Sequence, residues 1–210
     1  MIDEDLGIEL INQMIVSNKK PMRSNMYKFI ATLILTFSAV TVLAQSYSIV
    51  QEESEMMVIG TSNVHDWEAP AEEFSGSAEI EVADDSLVTI SSLNFTVIAK
   101  EINSGKGGMD SRIDDALKVK KNPEISYVLS EINEVKNGAL IASGKLTIAG
   151  VTKDVQMEVN YELQEDGSVL FEGTQTINMV DYDVSPPTAM FGTIKAGEKV
   201  DVKFNVKFAQ

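Results

Sequence analysis

Residues 144–163, GKLTIAGVTKDVQMEVNYEL, decide the fold class. Leu146 and Ile148 alternate with Lys145 and Thr147. After Ala149-Gly150, the residues Val155, Met157, Val159, Tyr161 and Leu163 fall on every second position, with Asp154, Gln156, Glu158, Asn160 and Glu162 between them. A period of two places the apolar side chains on one face of a strand and the polar ones on the other. Gly150 admits a positive φ, so the two runs read as an antiparallel hairpin turning at Ala149-Gly150. A slip of one residue would turn the whole apolar set into water, so the pattern itself specifies the register.

The same alternation extends outward in both directions. Val200, Val202, Phe204, Val206 and Phe208 alternate with Asp201, Lys203, Asn205 and Lys207 at the end of the chain. Upstream, Ala78, Ile80 and Val82 alternate with acids; Leu93, Phe95 and Val97 keep step within 87–99, as do Ile125, Tyr127 and Leu129. Further strands are expected at 46–51, 56–61 and 169–177. Asp84-Asp85-Ser86, Asn137-Gly138 and Glu165-Asp166-Gly167 supply turn chemistry between them. One block breaks the pattern. After Gly105-Lys106-Gly107-Gly108, the residues Met109, Ile113, Ala116, Leu117 and Lys120 recur at helical spacing. Asp110 or Ser111 is the expected N-cap, Lys118, Lys120 and Lys121 are expected in the last turn, and Pro123 stops the helix. The chain is therefore all-β, with about eight or more antiparallel strands and one inserted α-helix. Nearly every strand has a single apolar face, which a sandwich and a closed barrel both satisfy. A barrel of about eight strands is wide enough either to be filled by its own side chains or to hold one small ligand.

Charge and composition bound the function. The chain of 210 residues carries a net charge of −15. Residues 1–44 hold four acids and four bases, so the whole of it falls on 45–210. So acidic a body repels nucleic acid and anionic membrane surfaces. Cysteine is absent, which removes zinc-thiolate sites, thiol catalysis and c-type haem attachment. At the N-terminus, Lys19, Lys20, Arg23 and Lys28 precede the uncharged apolar run FIATLILTFSAVTVL, and Val42-Leu43-Ala44 fits a small-residue cleavage site. Residues 1–44 thus read as a signal peptide cut before Gln45, and the run is short for a membrane span, which needs ~20 apolar residues. No cysteine follows the cut to take a lipid anchor. Asp3, Glu4, Asp5 and Glu9 are out of place ahead of such a signal, so the expected start is Met22 or Met26, with a true N-terminal extension as the alternative. The expected mature domain is 45–210, exported to the periplasm or the medium, without stable membrane insertion.

Four blocks in order resemble one family, the YceI-like proteins, over roughly 46–210. They are Gly144-Lys145-Leu146-Thr147-Ile148-Ala149-Gly150-Val151-Thr152-Lys153; the helix block from Met109-Asp110 through Ala116-Leu117-Lys118 to Asn122-Pro123-Glu124-Ile125-Ser126-Tyr127; Tyr182-Asp183-Val184 with Pro186-Pro187-Thr188-Ala189-Met190-Phe191-Gly192 and Gly197-Glu198-Lys199-Val200; and the histidine-bearing block from Thr61 to Trp67. The resemblance implies a lipocalin-like antiparallel barrel with an apolar lumen, in an exported protein that binds long isoprenoid chains without catalysis. Two positions depart from the family's commonest pattern. Asn178-Met179-Val180-Asp181 stands where many relatives carry a basic residue, which leaves no such cation there for a pyrophosphate head, and Tyr127 stands where phenylalanine is common.

His65-Asp66 suggests an acid–base pair or a metal ligand, but a single histidine makes no His-rich metal site and neighbours on a strand point to opposite faces. Asp110, Asp114 and Asp115 near Arg112 lack the terminal glutamate of a calcium loop and suit a helix N-terminus. No cofactor is expected. The expected function is a carrier for an apolar lipid of isoprenoid type. Its lumen residues are expected to be Phe95, Met157, Val159, Tyr161, Phe171, Phe204 and Val206, with Ile113 and Leu117 from the helix closing one end. Met190 and Phe191 are expected at a lid over the ligand, the alternative for their Gly/Pro segment being a plain crossover. The competing functions are an enzyme acting on such a lipid through His65, Asp66 and Arg112, and a structural or stress-related barrel filled by its own side chains.

Overall fold

Where the sequence alternates, the backbone is extended. The computed structural model describes residues 45–210 apart from Asp84 and Asn137. The chain runs β1 (Gln45–Ile49), β2 (Glu55–Ser62), β3 (Trp67–Pro70), β4 (Phe74–Ala83), β5 (Ser86–Ile98), α1 (Gly107–Leu117), β6 (Glu124–Lys136), β7 (Ala139–Ile148), β8 (Val151–Leu163), β9 (Val169–Asn178), a two-residue β10 (Thr188–Ala189) and β11 (Ile194–Ala209). The expected signal peptide and any extension before it lie outside the described residues.

The strands pair antiparallel in the order β1-β4-β5-β6-β7-β8-β9-β11, and β11 returns to β1 through Ser48↔Ala209 and Ile49↔Phe208. Eight strands therefore close into a barrel, which decides between sandwich and barrel. A 3₁₀ turn (Gln51–Glu53) lets the chain leave β1 and continue as β2 along the same edge of β11, carrying β3 on its other side. Closure removes the open sheet edges that a sandwich would have to protect.

The β7–β8 hairpin forms with the expected register: Ile148 pairs with Val151 and Leu146 with Lys153. Both residues of its turn are left-handed, Ala149 at φ 50° and Gly150 at φ 84°, as a two-residue type I′ turn requires. The pattern assigned that conformation to the glycine alone; Ala149 shares it. Along β8 the apolar set from Val155 to Leu163 is half-buried or buried, and the polar residues between are exposed. Inside the barrel, Tyr47, Ile80, Val169 and Phe208 are almost wholly buried, and Phe171 meets Phe208 edge to face at 5.7 Å.

The helix corrects two expectations. Its N-cap is Lys106, with no side-chain cap. Asp110 lies inside the first turn, where its Oδ1 accepts hydrogen bonds from Ser104 N (2.7 Å) and Ser104 Oγ (2.6 Å). The carboxylate thus latches the incoming loop, and those bonds hold its pKa below the usual carboxylate range. At the other end Lys118, at φ 55°, terminates the helix, so Lys118, Lys120 and Lys121 lie beyond it. Ile113 is buried, and Met109 and Leu117 pack half-buried against the barrel core, so the apolar stripe caps one end of the barrel as its spacing predicts.

Candidate functional site

The inward face of the barrel does not fill its own interior. A cavity of about 180 Å³ is lined by Phe95, Met157, Val159, Phe171, Phe204 and Val206, together with Ile90, Leu93, Leu129, Ile132 and Leu140. The cause lies in pairs of residues on different strands. A side-chain carbon built on Gly173 would fall 2.5 Å from Phe204 Cζ, and one on Gly144 would strike the ring of Tyr127. Each glycine lets the neighbouring ring lie flat against the wall instead of crossing the lumen. Trp67 lies over Gly60 in the same way. Glycine inside a strand marks such a close approach, and this was the one signal in the sequence that pointed to these positions.

A second apolar cavity of about 100 Å³ lies under the helix. Ile113, Ala116 and Leu117 form its roof, with Trp67, Met179, Tyr182, Val184 and Pro187 around it. Val58, Ile102, Ile125, Ile148, Ile177 and Val202 line both cavities. The two spaces thus share a wall made of β-branched aliphatic side chains, and the second adjoins the lumen on the side of the helix.

The main cavity is lined by no charged residue; its polar members are Ser126, Tyr127 and Gln175. The Tyr127 hydroxyl is shut off from solvent and has no hydrogen-bond partner. Burial pushes its pKa up to about 12, so it stays a neutral donor at physiological pH. A buried polar atom without a partner is a costly exception that calls for an explanation.

Two clefts on the barrel flank share lining residues with the lumen. The β8–β9 ladder runs only from Val159↔Gly173 to Leu163↔Val169, and β9 continues beside β11. In the gap lies a cleft lined by Lys153, Asp154, Thr176, Asn178 and Asp181, together with Gln175 and Ile177 of the lumen. A larger cleft, between β2–β3 and β9–β11, shares Met56, Ala71 and Phe204 with the lumen and is rimmed by Glu55, Glu72, Glu172 and Lys203.

Of the residues expected in the lumen, Phe95, Met157, Val159, Phe171, Phe204 and Val206 line the main cavity, and Ile113 and Leu117 line the second. Tyr161 packs half-buried against the core but borders neither. Met190 and Phe191 are a correction. Both are exposed, Phe191 completely, on left-handed backbone at φ 50° and 55°, and neither lines a cavity. Outside the cavities too are the residues of the enzymatic alternative. His65 is exposed, with Nδ1 2.7 Å from the Asp66 carbonyl, and Arg112 donates to the carbonyls of Thr188 (2.9 Å) and Gly108. Among the described residues no group of three or more His, Cys, Asp or Glu side chains is placed to hold a metal ion.

Comparison with known proteins agrees with this architecture. Residues 47–208 match the YceI-like domain family. No curated protein matches the sequence. Among solved structures, BcnA of Burkholderia cenocepacia superposes with a TM-score of 0.65 at 18% identity, covering 77% of this chain and 99% of that one. A polyisoprenoid-binding domain from Saccharophagus degradans, implicated in plant cell wall breakdown, gives 0.59 at 13% identity over 79% and 98%. The YCEI protein of Campylobacter jejuni gives 0.54 at 20% identity over 68% and 84%. At these identities the likeness is one of fold.

Proposed function

Since the chain belongs to the YceI-like family, we propose that it is an exported, non-enzymatic carrier that holds one neutral, largely apolar lipid, of polyisoprenoid type, within the barrel. The observation that carries this reading is the cavity of about 180 Å³ with its uncharged lining. An apolar cavity of ~150 Å³ already takes a small aromatic guest and otherwise stays dry. A hydrocarbon chain gains about 2.5 kcal/mol for each ~100 Å² of apolar surface it buries, before ordering costs are subtracted. The second cavity extends the space available to such a chain as far as the helix. Glu55, Glu72 and Glu172 outnumber Lys203 around the larger flank cleft, and among the described residues no cation lines the lumen, which disfavours an anionic head group inside. The solved domain from Saccharophagus degradans, a polyisoprenoid binder, supports the choice of ligand class. Export rests on the signal-like residues 29–44.

The reading of a barrel filled by its own side chains is disfavoured by the cavity. The enzymatic reading is disfavoured by the position of His65 and Arg112, which line neither apolar cavity. Native mass spectrometry of protein purified from its own source tests the proposal. A neutral lipid should accompany the protein, leave on organic extraction, and be replaced by added polyprenol. Protein that purifies at the bare polypeptide mass and takes up no polyprenol overturns it.

A further inference from the structure

The surface of this molecule is electrically divided. Four connecting segments meet at the helix-capped end of the barrel: 62–67, 103–123, 149–154 and 179–199. Hydrogen bonds hold them together: Arg112 Nε donates to Thr188 O (2.9 Å), Lys118 Nζ to Asp183 O (3.1 Å), and Asn63 Nδ2 to Thr193 O (2.8 Å). A side-chain carbon on Gly150 would lie 2.8 Å from Asn122 Oδ1, which places the β7–β8 turn in the same group. These segments carry eight acidic and eight basic residues. The entire net charge of −15 therefore lies on the remainder of the chain, and this end is neutral.

The neutral end also shows apolar side chains to solvent. Phe191 is fully exposed, Met190 is 68% exposed and Val64 61%. Asn63, next to Val64, is bonded both to Thr193 O and to Lys195 N, so Val64 sits beside the turn that holds Met190 and Phe191. That turn has three consecutive left-handed residues, Met190 (φ 50°), Phe191 (φ 55°) and Gly192 (φ 86°). Left-handed backbone is unfavourable for residues other than glycine and persists where surrounding structure imposes it, often at ligand clamps and switches. Here it coincides with two large apolar side chains that face solvent. From 184 to 197 the only charged residue is Lys195. Directly behind lies the second cavity, with Val184 and Pro187 in its wall.

We propose that the helix-capped end is a membrane-docking surface, and that Phe191 and Met190 enter the interfacial layer of a lipid bilayer. This deepens the carrier reading and rests on it, since a carrier has to exchange its lipid with a bilayer. The charge distribution selects the occupant and the orientation. Long-range repulsion turns the acidic remainder away from a lipid surface, and the neutral end alone approaches at little electrostatic cost. Apolar side chains seated at the acyl boundary then supply short-range affinity. Docking in this pose sets the helix and the second cavity against the bilayer.

Flotation of the purified protein with phosphatidylcholine vesicles tests this, in parallel with vesicles of equal parts phosphatidylcholine and phosphatidylglycerol. Wild type should float with the first and more weakly with the second at low salt. Phe191→Asp should lose binding about tenfold or more. That variant should keep its thermal melt, because the side chain is fully exposed and aspartate tolerates left-handed backbone. Val88→Asp is the control: it adds the same charge at an exposed valine of β5, away from this end, and should leave binding unchanged. Wild type that floats with neither vesicle, Phe191→Asp that floats like wild type, or Val88→Asp that loses as much overturns the proposal. So does a Phe191-dependent dimer in sedimentation without vesicle binding, which would assign the patch to a second copy. The lipid content of the same purified protein is measured separately. Lipid-bearing protein that ignores vesicles removes the docking surface and leaves the carrier; Phe191-dependent flotation of protein that never holds lipid does the reverse.

Discussion

The hydroxyl oxygen of Tyr127 lies 2.5 Å from the point where a β-carbon at Gly144 would stand, so the ring rests on bare backbone of the neighbouring strand. Gly144→Ala should therefore push the ring into the lumen or shift the β6–β7 pair, at a cost of about 1–3 kcal/mol. Chemical denaturation of the variant measures this. The double variant with Tyr127→Ala should be less destabilised than the two single costs combined, since the clash is then gone. Additive costs would mean that the ring does not lie there.

Tyr127→Phe separates the ring from its hydroxyl. The apo protein should be stabilised by about 1 kcal/mol, because a buried unpaired hydroxyl is removed. Affinity for a polyprenol should fall about 2–10-fold, while affinity for a hydrocarbon of equal length is unchanged. The alkaline limb should also change. Burial holds the Tyr127 proton to about 12 in the folded protein against 10.0 unfolded, so the group makes stability pH-dependent only above pH 10, where the fold loses stability as pH rises towards 12. Melts of Tyr127→Phe should be flatter across that window. Identical polyprenol affinity in both proteins would show that the hydroxyl has no part in recognising the ligand.

Asp166 ties the β8–β9 turn to β11. Its Oδ1 accepts from Ser168 Oγ (2.5 Å) and Ser168 N (2.9 Å), and Lys207 Nζ donates to Oδ2 (3.0 Å). These partners, the serine first, hold its pKa well below the ordinary carboxylate range. A depressed carboxylate contributes stability that is present above its unfolded pKa and lost as pH falls beneath it. Wild type should lose melting temperature from about pH 5 downward more steeply than Asp166→Asn. Parallel acid limbs would remove this group from the account.

Val159 is buried in the wall of the main cavity. Val159→Trp should fold, because the new ring enters empty space instead of a filled core, where overpacking costs about 1–3 kcal/mol. The variant should retain no lipid through purification. Equal lipid extracted from Val159→Trp and wild type would place the ligand outside the lumen.

Much of the scaffold was legible in the chain alone, because strands are local. Period-two alternation in β8 and β11 sets which side chains face inward, and it does so whatever the partner strand is. The helix was legible for the same reason, though its caps were not: Asp110 turned to Ser104 in an adjoining loop, an interaction that no spacing within the helix reveals. The charge balance, too, is a property of the sequence, and it bounded the partners before any coordinate.

Tertiary structure decided the rest. Closure of the barrel depends on Ser48 and Ile49 meeting Phe208 and Ala209 across the whole length of the domain, and alternation is equally compatible with a sandwich. The cavity is a property of pairs: Gly144 with Tyr127 and Gly173 with Phe204 lie on different strands, and neither member alone says whether the space between is filled. The Gly/Pro segment around Phe191 reads as a lid over the ligand or as a plain crossover, and hydrophobicity alone does not dictate which way its side chains face. The exposure of Phe191 appears only in the folded chain, where Asn63 and Arg112, far away in sequence, bond to Thr193 and Thr188 on either side of its left-handed turn.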